Sequence, residues 1–230
     1  MSRARVVAVA GSLVVAGALL LTTRGAADRP ARALQSGVLR VENRSCGRAM
    51  LGSGFLVDRR HAVTAAHVVE DAGTITLRQS GRLVARGTVV GADSARDVAL
   101  IKLERAFDGH AFALSRRAAL RGDVVTAVGY PLGAPLVQAH GAVLGSASTL
   151  PAPGFARRTL IQTDAVVSPG QSGGPLLGGR TVVGMIDLSP VQGSGQPSFA
   201  VSAGDFAGAI SRWRADPEAV AQHPCRAPSR

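Results

Sequence analysis

The sequence predicts an all-β fold of narrow barrels, followed by one C-terminal helix. Hydrophobic residues make up 46% of the 230 residues but aromatic residues only 3%, so that Val, Leu, Ile and Ala must fill the core. Such β-branched and small side chains suit the inside of small barrels. Short apolar segments recur between turn residues over most of the chain, which is typical of antiparallel strands. The length accommodates one unit of two barrels or two small domains.

The first 27 residues are expected to be a signal peptide or an N-terminal membrane anchor. Arg3 and Arg5 precede an uncharged stretch over residues 6–23, whose length lies between that of a signal-peptide core and that of a membrane span. Both alternatives export the domain that follows, to the periplasm, the cell envelope or the medium. Residues 28–36, rich in Arg and Ala, are interpreted as a linker.

The first barrel is assigned to residues 37–108. Alternating or continuous apolar residues predict strands at 38–41, 50–57, 61–66, 74–77, 83–90 and 98–103. His67 lies where the third of these strands breaks into a short helical turn, and Asp97 directly precedes the last one. A carboxylate beside a buried strand needs a partner, and the imidazole of His67 is the natural candidate. Asp93, earlier in the same turn, is the alternative acid.

The second barrel, assigned to residues 120–203, follows a crossover segment and contains a glycine-rich turn. Its strands are predicted at 124–128, 140–146, 160–164, 181–188 and 198–201. Residues 170–176 read Gly-Gln-Ser-Gly-Gly-Pro-Leu, and a serine among glycines suits a tight turn with an accessible hydroxyl and outward-facing N–H groups. A nucleophile beside such donors is what acyl transfer requires. Taken alone, the motif is equally compatible with a plain turn between strands.

A C-terminal helix is predicted at residues 203–215. Ser202 and Asp205 have the spacing of a capping box, and Phe206, Ile210 and Trp213 recur at helical spacing. Residues 216–230 are polar and contain proline, which is typical of a tail.

The chain contains two cysteines, Cys46 and Cys225. An even pair in an exported chain suggests a disulfide, and closing so long a loop would contribute about 5 kcal/mol by the loop-entropy model. Two unpaired thiols are the alternative. If paired, the two cysteines would tie the end of the chain to its beginning.

His67, Asp97 and Ser172 occur in the chain order of one form of the Ser-His-Asp triad. The surrounding motifs resemble those of trypsin-like serine proteases, and most of all the protease domain of bacterial HtrA-like (Deg-type) proteases. They are Gly-Ser-Gly-Phe at 52–55, Thr-Ala-Ala-His-Val-Val at 64–69, and Gln-Thr-Asp-Ala at 162–165 running into 170–176. The chain ends without room for the PDZ domain usual in those relatives, and Gln171 replaces their usual Asn.

The resemblance covers residues 37–213 and implies both a fold and an activity. The fold is two six-stranded antiparallel β-barrels with a C-terminal helix, and the activity is that of an exported serine endopeptidase acting on polypeptides. His67 is then the general base, Asp97 orients it and Ser172 is the nucleophile. The backbone N–H groups of Gly170 and Ser172 form the oxyanion hole.

By position, Val166, Val167, Ile186 and Ala200 are expected to line the specificity pocket. Because no acid occupies the pocket floor, the expected cleavage follows small or medium apolar residues. No metal or cofactor is expected. The formal net charge of +11 has no clustered basic run, so that nucleic-acid binding is not expected either, while the oligomeric state is left open.

Three other functions compete with the peptidase. A catalytically idle, peptide-binding envelope protein could retain the same fold. A serine esterase could use the same triad, but the chain lacks the Gly-x-Ser-x-Gly elbow of the α/β-hydrolases. A basic module that binds cell wall or nucleic acid would show salt-sensitive binding that survives Ser172→Ala.

Overall fold

The computed structural model of the chain describes residues 33–45, 48–71, 73–148, 158–188, 197–217 and 220. Within these residues the chain forms two closed barrels of six antiparallel strands each, followed by one C-terminal helix. The predicted fold class is therefore confirmed.

The first barrel is closed by pairing of its first and fourth strands. Its strands are β1 (Val38–Ser45), β2 (Arg48–Asp58), β3 (His61–Thr64), β4 (Thr74–Gln79), β5 (Arg82–Asp93) and β6 (Val98–Leu103), in the order β1-β2-β3-β6-β5-β4 around the barrel. Inward-facing apolar side chains such as Leu39, Phe55 and Leu100 are completely buried. Their burial is the main stabilising contribution to such a barrel.

The second barrel repeats this arrangement. Its strands are β7 (Val124–Gly129), β8 (Val137–Ser148), β9 (Thr159–Thr163), β10 (Pro175–Gly178), β11 (Thr181–Leu188) and β12 (Ser198–Ser202), in the order β10-β11-β12-β9-β8-β7. Strand β10 was not predicted, because it is short, starts with proline and follows the glycine-rich turn without a break. Proline is tolerated at the first residue of a strand.

The C-terminal helix α1 (Ala203–Ala215) packs against both barrels. Trp213 lies on Gly91 of β5, where an added Cβ would come within 2.1 Å of the indole ring. Arg214 also forms an ion pair with Asp58 at the end of β2, with an Nε–Oδ2 distance of 2.8 Å. The helix therefore connects the end of the second barrel to the first.

The predicted capping box at the start of α1 is wrong. Ser202 is the N-cap residue, but among the described residues its side chain makes no capping hydrogen bond. The carboxylate of Asp205 instead accepts a hydrogen bond from the backbone N–H of Thr159 at the start of β9. Asp205 thus binds a residue distant in the sequence instead of the first turn of its own helix.

Ser53 of β2 joins the two barrels at the glycine-rich turn. Its Oγ accepts from the backbone N–H of Tyr130 (2.9 Å) and donates to the carbonyl oxygen of Gly170 (2.8 Å). Its own N–H donates to the carbonyl oxygen of Ser172 at 2.8 Å. These bonds hold the turn of the second barrel against the first barrel.

Candidate active site

His67 and Asp97 form a doubly hydrogen-bonded pair in the first barrel. His67 lies in a single 3-10 turn, Ala66–Val68, just after β3. Its backbone N–H lies 2.9 Å from Oδ1 of Asp97, and its ring Nδ1 lies 2.8 Å from Oδ2. A carboxylate at Nδ1 holds the proton there and leaves Nε2 as the basic nitrogen.

Asp97 reaches His67 because the backbone turns sharply before β6. Its φ is +57°, in the left-handed region that aspartate tolerates better than most residues. Asp93, the alternative acid, receives hydrogen bonds from the backbone N–H (2.9 Å) and guanidinium (2.7 Å) of Arg96. The structure thus pairs His67 with Asp97 and Asp93 with Arg96.

Ser172 lies in a turn whose shape requires glycine at two positions. Gly170 and Gly173 have φ values of +92° and +84°, a region that residues with a Cβ rarely adopt. A Cβ on Gly170 would lie 2.4 Å from the backbone nitrogen of Leu132, and one on Gly173 would lie 2.3 Å from the carbonyl oxygen of Ser53. The turn therefore fits closely between its neighbours.

Gln171 supports this turn from within. The residue is 1% exposed, and its Oε1 accepts a hydrogen bond from the backbone N–H of Ser168 at 2.8 Å. The sequence marked Gln171 only as a departure from the HtrA-like motif. Its internal hydrogen bond explains how an amide longer than Asn fits the turn.

The backbone around Ser172 offers two unused donors. The carbonyl of Gly170 points toward Ser53, and among the described residues the N–H groups of Gly170 and Ser172 have no hydrogen-bond acceptor. Two neighbouring N–H groups without acceptors are what an oxyanion hole requires. The role predicted for them is compatible with this arrangement.

The hydroxyl of Ser172 donates to the carbonyl oxygen of Asp187 at 3.1 Å. Among the described residues it forms no hydrogen bond with His67. The nucleophile predicted from the sequence is thus held by the end of β11 in this conformation.

Asp187 is a second acid of the site beside Asp97, and the sequence reasoning missed it. It is 5% exposed, and its carboxylate shares with His67 and Asp97 a cluster in which donor atoms lie within 4.8 Å of one another. The guanidinium of Arg158 forms an ion pair with it, with an Nη1–Oδ2 distance of 3.0 Å, although Oδ2 has no aligned hydrogen bond among the described residues. An acid within the apolar stretch of β11 was the available signal.

The three acid–base groups shift one another's pKa values. The hydrogen bond with Asp97 is the largest effect on His67 and raises its pKa above 6.5, although burial opposes this. Burial acts to raise the pKa of Asp97, but its hydrogen bonds with His67 outweigh burial and lower it below 3.8. Burial, together with the nearby Asp97, raises the pKa of Asp187 to about 6, against the opposing charge of Arg158.

The spacing of His67, Asp97 and Asp187 would suit a metal ion, but the surrounding contacts do not. Nδ1 of His67 is already bound to Asp97. The buried guanidinium of Arg158 supplies the positive charge that Asp187 needs. We therefore assign no metal to this cluster.

Comparison with known proteins identifies the family. A family model described as a trypsin-like peptidase domain matches residues 52–185, more than half of the chain. The chain belongs to the trypsin-like peptidase family. The matched range includes His67, Asp97 and Ser172.

DegP-like and HhoB serine proteases are among the similar curated proteins and confirm the HtrA-like resemblance found in the sequence. A probable periplasmic serine endoprotease, DegP-like, of Pseudomonas fulva is 38% identical over 134 residues, which cover 55% of this chain and 26% of that protein. A putative serine protease HhoB of Synechocystis is 37% identical over 133 residues, covering 56% of this chain and 32% of that protein. The chain thus matches about a third or less of these relatives' lengths.

Solved structures agree on the fold. The Rv3671c protease of M. tuberculosis, in its active form, superposes with a TM-score of 0.74 at 23% identity, covering 86% of this chain and 88% of that one. A serine endoprotease of Yersinia pestis gives a TM-score of 0.66 at 27% identity, covering 80% of this chain and 65% of that one. Both structures share the fold of this chain over most of its length.

The structure brings together three of the four residues predicted to line the specificity pocket. Val167, Ile186 and Ala200 are buried in one apolar cluster of the second barrel. Val166 is 75% exposed and does not join them. It lies in the irregular segment between β9 and β10, where strand alternation no longer determines which side chains face inward.

Several predictions lie wholly or largely outside the described residues. They are the signal peptide or anchor at residues 1–27, the linker at 28–36, the tail at 216–230 and the pairing of Cys46 with Cys225. In the described part of the chain, no helix is both long and apolar enough to cross a membrane.

Proposed function

We propose that this chain is an exported serine endopeptidase that hydrolyses peptide bonds with His67, Asp97 and Ser172. The observation that carries the proposal is the hydrogen bond between Nδ1 of His67 and Asp97, in a chain whose serine turn presents two unused N–H donors. The pairing gives a histidine the correct tautomer for a general base. The turn would supply hydrogen-bond donors to the developing oxyanion.

In the proposed reaction, Oγ of Ser172 attacks the carbonyl carbon of the substrate and its proton passes to Nε2 of His67. The N–H groups of Gly170 and Ser172 stabilise the tetrahedral oxyanion. His67 then gives the proton to the leaving amine, which leaves an acyl-enzyme ester on Ser172. A water molecule, deprotonated by His67, hydrolyses the ester and regenerates the serine.

The observed partner of the Ser172 hydroxyl requires one change before attack. The hydroxyl must leave the carbonyl oxygen of Asp187, 3.1 Å away, and turn toward His67. Rotation about one side-chain bond exchanges one hydrogen bond for another, and such a step is small compared with the barrier to acyl transfer. Substrate binding beside Ser172 would favour the rotated form.

We further propose cleavage after small or medium apolar residues. The residues predicted for the pocket are apolar: Val167, Ile186 and Ala200 are buried in one cluster, and the backbone of Ile186 is hydrogen-bonded to Gly173 and Gly174 of the serine turn. Asp187 is paired with Arg158 and lies close to Asp97, so that its carboxylate is already engaged within the described part of the site and is not expected to select a Lys or Arg side chain.

Export is proposed from the N-terminal sequence and from the relatives. Residues 1–27 have the basic start and uncharged stretch of an export signal or anchor. The DegP-like relative of Pseudomonas fulva is described as periplasmic.

Labelling with a fluorophosphonate, which reacts with activated serines, tests the proposed activity directly. We expect one label on the purified chain, located at Ser172 by peptide mapping, and no label on Ser172→Ala or His67→Ala. Ser168→Ala, which removes a nearby hydroxyl of the same turn, is the matched control and should still be labelled. A folded chain that takes up no label would contradict the proposal.

A catalytically idle peptide-binding protein is the second candidate, and the hydrogen bond from Ser172 to Asp187 is the observation that favours it. Such a protein would bind apolar peptides without cleaving them. Calorimetric binding of a peptide that stays intact, with equal affinity for Ser172→Ala, would support this alternative.

A further inference from the structure

We propose that the carboxyl group of Asp187, held by Arg158, is a positioning residue that keeps Asp97 against His67. The inference rests on the proposed function, since it concerns the same site. Asp187 belongs to the second barrel, whereas His67 and Asp97 belong to the first. The contact would therefore fix the position of the His67–Asp97 pair relative to the second barrel, which carries Ser172.

The geometry places Asp187 beside the pair. An oxygen of its carboxyl group lies within 4.8 Å of an oxygen of Asp97 and of a ring nitrogen of His67, so that the three side chains form one cluster. The two neighbouring carboxyl groups also act on each other's pKa. The side chain of Asp187 is 4% exposed, so that water cannot easily replace this contact.

Two carboxyl groups in contact cannot both be ionised without compensation. When Asp187 is protonated, its O–H can donate to Asp97 and hold the carboxylate that faces His67. When Asp187 is ionised, the guanidinium of Arg158 at 3.0 Å offsets the added charge. The charged groups that act on His67 here are Asp97, Asp187 and, more weakly, Glu70, while Arg158 acts on Asp187.

This arrangement makes the basicity of His67 depend on a second acid. An ionised Asp187 favours the charged imidazolium and raises the pKa of His67. Removing the charge while keeping a hydrogen-bond donor should therefore lower the pKa of His67. Removing the side chain should in addition release Asp97.

Asp187→Asn and Asp187→Ala separate these two effects. The Asn amide can still donate to Asp97 but carries no charge, whereas Ala makes no contact. We expect Asp187→Asn to lower the pKa of His67 by about half a unit, a threefold loss of proton affinity. We expect Asp187→Ala to slow fluorophosphonate labelling about tenfold or more beyond Asp187→Asn at alkaline pH, because Asp97 is no longer held in place.

The pKa of His67 is best measured by NMR titration of its imidazole, assigned with His67→Ala. This readout does not need an active enzyme, so a failure of the proposed function would appear in the labelling and a failure of this inference in the titration. Asp58→Asn is the matched control, since Asp58 also pairs with a histidine and an arginine, His61 and Arg214. It should leave the titration of His67 unchanged.

Arg158→Gln provides a second test that does not alter Asp187 itself. Because Arg158 lowers the pKa of Asp187, its loss should move the carboxyl titration of Asp187, followed by carbon NMR, to higher pH. An unchanged His67 titration in Asp187→Asn, or equal labelling of the Asn and Ala variants, would overturn the positioning role. An unchanged Asp187 titration in Arg158→Gln would overturn the part assigned to Arg158.

Discussion

The substitution Gly170→Ala tests whether the shape of the serine turn supplies the oxyanion hole. Gly170 has a φ of +92°, and a Cβ there would lie 2.4 Å from the nitrogen of Leu132 and 2.7 Å from the carbonyl oxygen of Tyr130. Both neighbours are backbone atoms, which cannot rotate away. Relief to an ordinary contact of about 3.4 Å requires the turn to move by about 1 Å.

Such a movement should reduce activity far more than stability. Losing one oxyanion donor costs about 100-fold to 1,000-fold in rate, and a misplacement of about 1 Å costs about 100-fold. We therefore expect the second-order rate of fluorophosphonate labelling at Ser172, followed by intact mass, to fall at least about 100-fold. Unfolding in urea shows whether the variant remains folded.

Gly122→Ala is the control for backbone strain alone. Gly122 has a φ of +89° with no atom within 4 Å of an added Cβ, so that it shares the strain but not the collision. Left-handed backbone costs a residue with a Cβ roughly 1–2 kcal/mol, and labelling should stay within about twofold of the wild type. Labelling of Gly170→Ala within about threefold of the wild type would refute the assignment of this N–H to the oxyanion hole.

Three further predictions follow from the same structure. Asp97→Asn should slow labelling by about 10,000-fold, because the tautomer of His67 is no longer fixed. Labelling of this variant at the wild-type rate would show that Asp97 does not orient His67. In the wild type, labelling should fall as the pH drops through the raised pKa of His67, since the base must be neutral, so that the midpoint lies above 6.5; a pH–rate profile with a lower midpoint would contradict this. Trp213→Ala should reduce the free energy of unfolding by about 3–5 kcal/mol, measured in urea, and a loss below about 1 kcal/mol would show that the indole on Gly91 contributes little.

The sequence was sufficient to predict the positions of the proposed catalytic residues because each motif is local. His67 follows a strand that ends in a turn, Asp97 precedes a buried strand, and Ser172 lies among glycines. The strands could be predicted from apolar periodicity for the same reason. Strand β10 was not predicted, since four residues are too few for an alternation of apolar and polar side chains to be recognised.

The contacts of Asp187 could not be read from the sequence. Its partner Arg158 lies at the start of β9, and Asp97 lies in the other barrel. Only the packing of the barrels brings these charges together. The same holds for Asp205, whose spacing from Ser202 suggested a local cap but whose carboxylate binds Thr159.

The position of Trp213 in the sequence also determines when α1 can pack on the first barrel during synthesis. The chain is made from the N-terminus, so that His67 and Asp97 emerge first, Ser172 later and the indole that rests on Gly91 near the end. Because domains fold as units once their residues are available, the contacts of α1 with the first barrel can form only after both barrels have been made.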